Sequence, residues 1–108
     1  MPGPKTPVAA LEWIQKAVYD GRYHVSIHFR DMLYSRKIEM EDACHAIEVA
    51  TVCEPYDRDP VHGGTCWRIK AHDIGETKEV WVGCEAFYES KKRKCMLCTL
   101  FDPNADRR

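Results

Sequence analysis

A chain of 108 residues has room for one hydrophobic core and too little for two. With 44% hydrophobic and 31% charged residues, it has the make-up of an ordinary globular domain. Its net charge of −1 argues against a general nucleic-acid coat protein.

No apolar run approaches the length of a membrane span, and the opening MPGPKTP lacks the apolar stretch of a signal peptide. A cytoplasmic domain is therefore expected. The cysteines at 44, 53, 66, 84, 95 and 98 are then expected to be thiols rather than a disulfide framework. The near-neutral total conceals segregation. Residues 22–38 carry Arg22, Arg30, Arg36 and Lys37 against Asp31. Residues 39–59 carry Glu39, Glu41, Asp42, Glu48, Glu54, Asp57 and Asp59 against Arg58. Lys91 to Lys94 is basic again. This pattern allows a local basic cleft on an acidic body.

In chain order, residues 1–6 read as a loose tail. Val8, Leu11, Ile14 and Val18 predict a helix that begins at Pro7 and ends at Asp20-Gly21. Tyr23 to Val25 reads as a connector. Ser26 is a plausible N-cap for a second helix running to about Lys37. A third helix is predicted from about Met40 to Ala50, with Met40, Ala43, Ile47 and Ala50 inward. Glu41 and Asp42 suit its positive end. PYDRDPVHGG, residues 55–64, reads as a loop. The period then changes to two. Cys66, Arg68, Lys70 and His72 face one way, and Trp67, Ile69 and Ala71 the other. DIGET at 73–77 is a turn. Strands follow at 78–87 and 93–101, joined by YESKK. Asp102-Pro103 closes the domain and residues 104–108 form a second tail. The expected architecture over 7–103 is α+β, with helices packed on an antiparallel meander of three to four strands.

Two constellations could carry chemistry. Residues 28, 32 and 36 share a helical stripe, so His28 and Arg36 are expected to act together, with Met32 between them. One can move a proton near neutral pH and the other holds negative charge. Taken singly, His28 also fits a histidine packed at a helix start, and Arg36 a surface arginine favouring a helix C-terminus. Arg68, Lys70 and His72 form a basic strand face suited to a phosphate backbone, or simply a solvated face. Lys92 and Arg93 in the 91–94 run, with Tyr88 beside them, could contact phosphate or stack on a base. A charge run of that kind is more often a solvated loop.

Cys95 and Cys98 have the spacing of a zinc knuckle but fall in a strand, where residues three apart face opposite ways. Buried thiols are expected instead. No metal and no cofactor is expected from His24, His45 or His62, or from any phosphate-binding glycine loop.

The order His28, Arg36, Ile38, Glu41, Asp42 resembles a small bacterial family of domains of unknown function. In that family Ser-x-His opens one helix, and an Arg-Gly-Ile turn leads into a helix bearing Glu-Asp. A Tyr-Asp loop, here Tyr56-Asp57, a meander and a closing Asp-Pro follow, so the resemblance covers about Leu11 to Pro103. The family is related to the RelE, BrnT and MqsR type toxins, small metal-independent ribonucleases of toxin–antitoxin pairs. The resemblance implies a RelE-like fold and attack of an RNA 2′-hydroxyl on its adjacent phosphate. His28 would move a proton. Arg36, with Arg68 or Lys70, would stabilise the developing charge. The implied partners are RNA, free or on the ribosome, and an antitoxin protein, with no membrane. The chain departs from the family at Met32 (usually Arg), Lys37 (Gly), Glu39 (Ser) and Phe101 (often Tyr, a proton donor). Two other readings stay open. One is a binding module for RNA or protein using Arg68 and Lys70. The other is a thiol or zinc regulator using Cys84, Cys95 and Cys98.

Overall fold

The computed structural model describes residues 3–74 and 77–101, and the side chains of all of these but 72–74 and 77–79. Helix α1 spans Pro7–Tyr19. The Thr6 hydroxyl accepts the Ala9 N–H at 3.2 Å, and Pro7 opens the first turn, where no N–H is needed. Gly3 and Pro4, expected in a loose tail, are buried, and the Pro4 carbonyl accepts the Thr65 hydroxyl at 2.7 Å.

Tyr23–Val25 is not a connector. It is strand β1, paired in parallel with the last strand of the described chain. Three residues carry too little periodicity to announce a strand, and the partner lies some seventy positions away. Helix α2 spans Ile27–Ser35. Ser26 caps it, its hydroxyl accepting the Phe29 N–H at 3.0 Å. The helix stops two residues before the expected Lys37, because Lys37 turns left-handed at φ 57°. The Lys37 N–H then reaches the Tyr34 carbonyl at 3.2 Å and the Ile38 N–H the Leu33 carbonyl at 2.9 Å. Buried Ile38 and Leu33 complete this Schellman closure.

Helix α3, Met40–Glu48, ends two residues before the expected Ala50. Its terminal carbonyls are taken up by α1. The Gln15 amide donates to Ile47, Glu48 and Ala50 at 3.0, 3.2 and 2.9 Å.

Four more strands follow. They are β2 (Val52–Pro55), β3 (Thr65–Ile74), β4 (Thr77–Glu89) and β5 (Lys92–Phe101). β2 starts ahead of the expected loop and takes its first residue, Pro55, leaving 56–64 as loop. As an edge strand it can end on a proline. Ile74 pairs with Thr77 across the expected 73–77 turn, while Gly75 and Glu76 lie outside the described residues. So do Asp102, Pro103 and the tail at 104–108. The β4–β5 hairpin turns on Ser90 and Lys91, both left-handed at φ 53° and 64°, the geometry a two-residue hairpin requires.

The fold is α+β, as expected, but the sheet has five strands rather than three or four, in the order β1-β5-β4-β3-β2. The central β3-β4-β5 meander is antiparallel. β1 makes the sheet mixed. No helix among the described residues is long and apolar enough to cross a membrane.

The sheet has two unlike faces. Trp67, Ile69, Ala71, Val80, Val82, Cys84, Leu97 and Leu100 point at the helices and pack against Ile14, Phe29, Leu33 and Ile47. Arg68, Lys70, Trp81, Gly83 and Glu85 alternate with them on the other face, and the 56–64 loop lies over Gly83 and Glu85. There Glu85, only 1% exposed, accepts the N–H groups of Val61 (2.8 Å), His62 (2.8 Å) and Gly64 (3.0 Å). The His62 ring stacks on Phe87 with centroids 4.2 Å apart. Burial alone would raise the Glu85 pKa. The amides of Gly64, Val61 and His62 outweigh it and hold the carboxyl below its usual range.

A candidate active-site cleft between α2 and the loop face

β1 pairs only with Cys95 to Leu97, so the rest of β5 has an open edge. α2 covers it. The Ser26 N–H donates to the Leu97 carbonyl at 3.0 Å and the Ser26 hydroxyl to the Cys98 carbonyl at 2.8 Å. The Thr99 hydroxyl reaches the Met32 sulfur at 3.7 Å. One serine thus caps the helix and docks it on the sheet. Phe29 and Leu33 point into the core, and their neighbours His28 and Met32 fall on the outer rim.

That rim bounds a cleft of about 460 Å³. Its walls are His28 and Met32 from α2 and Tyr56 from the loop. Arg68, Thr99, Leu100 and Phe101 come from the sheet. Tyr56 stacks on Phe101 at 5.9 Å, and its backbone N–H donates to the Cys66 carbonyl at 3.1 Å. Gly83 makes this approach possible. A Cβ there would lie 2.6 Å from Thr99 Cγ2 and 2.9 Å from Tyr56 Cε2.

Arg68 is a positioned cation. Its Nε and Nη2 both donate to Glu54 Oε2, at 2.9 and 2.5 Å, and its guanidinium lies 4.8 Å from the Trp81 ring. The pair is half-exposed, so it contributes little to stability. Its effect is orientation. Two of the five N–H donors are engaged and the others remain for a ligand.

Sequence reasoning paired His28 with Arg36. In the fold His28 lines one cleft with Arg68. Arg36 does not line the cleft. Arg36 is the C-cap of α2, its N–H still on the Met32 carbonyl at 3.0 Å, so it stays in register with His28 and Met32 but outside the cleft wall. Lys70 shares the Arg68 face, half-buried between Val52 and Trp81, and does not line the cleft either. The side chain of His72 lies outside the described residues. Tyr88, Lys92 and Arg93 line a different cleft, at the other end of β5. Tyr56 had no assigned role. The signal for it was Gly83 inside an otherwise unbroken strand, a mark of something packed closely on the backbone.

Burial raises the pKa of all six thiols, Cys53 and Cys66 to about 11, so thiolate chemistry is disfavoured near neutral pH. Cys95 lies in the helix-side core, whereas Cys98 interacts with Arg58 and Glu85 on the loop side. Among the described residues, no three His, Cys, Asp or Glu side chains converge as a metal site requires.

Comparison with protein-family models, curated proteins and solved structures returns no match.

Proposed function

We propose that this protein is a metal-independent endoribonuclease acting in the His28–Arg68–Tyr56 cleft. One observation carries the reading: a proton-transfer group, a positioned cation and a phenol, from three separate parts of the chain, line one open cleft.

In the proposed reaction His28 accepts the proton of an RNA 2′-hydroxyl. The freed oxygen attacks the adjacent phosphorus, and the bond from phosphorus to the 5′-oxygen breaks. The leaving oxygen takes a proton from the Tyr56 hydroxyl or from water. Arg68 holds the charge that develops on the phosphoryl oxygens. Tyr56 takes the part of the tyrosine that Phe101 replaces. The resemblance to the toxin ribonucleases points the same way and adds an antitoxin protein as the restraining partner.

The test is incubation with mixed RNA in EDTA and mapping of fragment ends. Cleavage leaving 2′,3′-cyclic phosphates, lowered by about 10²–10⁴ in His28→Ala, is expected. Arg68→Ala is expected to lose rate in proportion to the charge it holds. Unchanged cleavage in both variants would overturn the site.

A second reading is binding without cleavage. It is favoured by the Glu54 carboxylate already seated on Arg68 and by the apolar Met32 and Phe101 walls. RNA affinity that depends on Arg68 with no cleavage product would select it.

A further inference from the structure

A second cleft lies at the opposite end of β5. The last turn of α1, the Gly21-Arg22 bend and the β4–β5 hairpin enclose about 460 Å³. Five cations line it: Lys16, Arg22, Lys91, Lys92 and Arg93. The single carboxylate in the lining, Asp20, is held by Lys16 at 3.3 Å. Arg22, Lys91 and Lys92 have no ion-pair partner among the described residues.

The platform is fixed rather than loose. Trp13 on α1 donates its indole N–H to the Lys94 carbonyl at 2.9 Å. The same ring meets Tyr88 edge-on with centroids 4.8 Å apart, and carries the Arg93 guanidinium at 4.8 Å. One side chain thus pins the hairpin to the helix and aims an arginine. Lys91 stands at a left-handed hairpin position, where glycine is the unstrained residue. A lysine there is sterically costly, and such costs cluster at working sites.

We propose that this cleft binds the phosphate backbone of single-stranded RNA, as a site separate from the His28 cleft. Concentrated cations without neutralising partners match a polyanion. Tyr88, half-buried and braced by Trp13, offers a ring beside the phosphates on which a base can stack. An acidic protein surface fits less well. The apolar members of the lining, Ala17 and Tyr88, are buried and half-buried, which leaves no pocket for an anchoring side chain. The proposal concerns affinity and holds whether or not the RNA is cleaved.

The experiment measures binding of a mixed-sequence single-stranded RNA by fluorescence anisotropy over a salt series. His28→Ala serves as the parent, so that cleavage does not enter. Lys91→Gln with Lys92→Gln is expected to weaken binding about tenfold at low salt. It should also flatten the slope of log K against log salt by about 1.4, or 0.7 for each lost phosphate contact. A control pair beside α2, Arg30→Gln with Lys37→Gln, should change neither. Parent affinity and slope in the hairpin variant would overturn the site. So would an equal loss in the control pair, which would mean that only total charge matters. Tighter binding of polyglutamate than of RNA would reassign the cleft to an acidic protein. All four positions are exposed, and circular dichroism checks that each variant folds.

Discussion

The two faces of the sheet are cut from the same strands and closed by different means. Toward the helices, closure is by apolar area: Ile69, Val80, Val82, Leu97 and Leu100 are fully buried against Ile14, Phe29 and Ile47. Toward the loop, closure is by a buried carboxylate. Glu85 collects three backbone N–H groups, which seats His62 on Phe87, while Tyr56 lies on Phe101 over Gly83. The first kind of closure tolerates no polar group without a partner. The second leaves room for Arg68, Trp81 and an open cleft. A charged side chain can be held on the face closed by polar contacts, because there it keeps one end in water.

The sharpest way to break that contrast is to remove one side chain from each face. Phe29→Ala should cost about 3–5 kcal/mol in denaturant unfolding, since it empties a fully buried site between α2 and the sheet. It should also loosen His28, the preceding residue. Glu85→Ala should cost less, about 1–3 kcal/mol, by stranding the loop amides. Its effect should show first as faster hydrogen exchange at Val61, His62 and Gly64. An equal cost for the two would mean that the loop is as much a part of the core as the helices.

Acid should tell the two faces apart as well. The folded Glu85 carboxyl sits below its ordinary value, so the unfolded chain takes up its proton first. The stability it contributes is complete above the unfolded value near pH 4.3 and is lost as pH falls through the lower folded value. Urea titrations from pH 6 to 3 should show wild-type stability falling over that range, and Glu85→Gln falling less. Parallel curves would place the acid sensitivity elsewhere.

Gly83→Ala should act on the cleft more than on the core. A methyl group there meets Tyr56 and Thr99, at a cost of about 1–3 kcal/mol. It should push the phenol away from Phe101 and lower the proposed cleavage, with the helix-side packing intact. The smallest effect expected is a gain. Lys37→Gly relieves a left-handed lysine and should stabilise by up to about 1 kcal/mol in thermal unfolding.

The helix-side face was legible in the sequence because burial there follows the 3.6 and 2.0 periods. Thr65 to Ala71 alternated as expected, and the Ser26 cap could be read from residue type and position. The loop-side face was not. No pattern singles out Glu85, and only the fold shows that a loop returns over it. β1 and β2 were missed because short edge strands are defined by their partners, and those partners are distant in sequence. In the cleft, His28 and Arg68 each stood out as candidates, but their pairing depends on α2 lying along β5. The end of α2 was not legible either, since the Lys37 side chain gives no hint of the left-handed turn that a glycine would have announced.

The place of β5 in the sheet has a consequence for how the chain is made. Trp13 finds its carbonyl at Lys94, 81 residues later, and Ser26 finds its own at Cys98, 72 residues later. On the ribosome, α1, β1 and α2 emerge long before the strand that seats them. They must wait as an unfinished half with apolar faces open to water, in need of a chaperone or of speed. The His28 cleft combines α2 with Phe101 of β5, so it exists only once translation has passed β5. The cleavage proposed for this cleft could then begin only after β5 has left the ribosome.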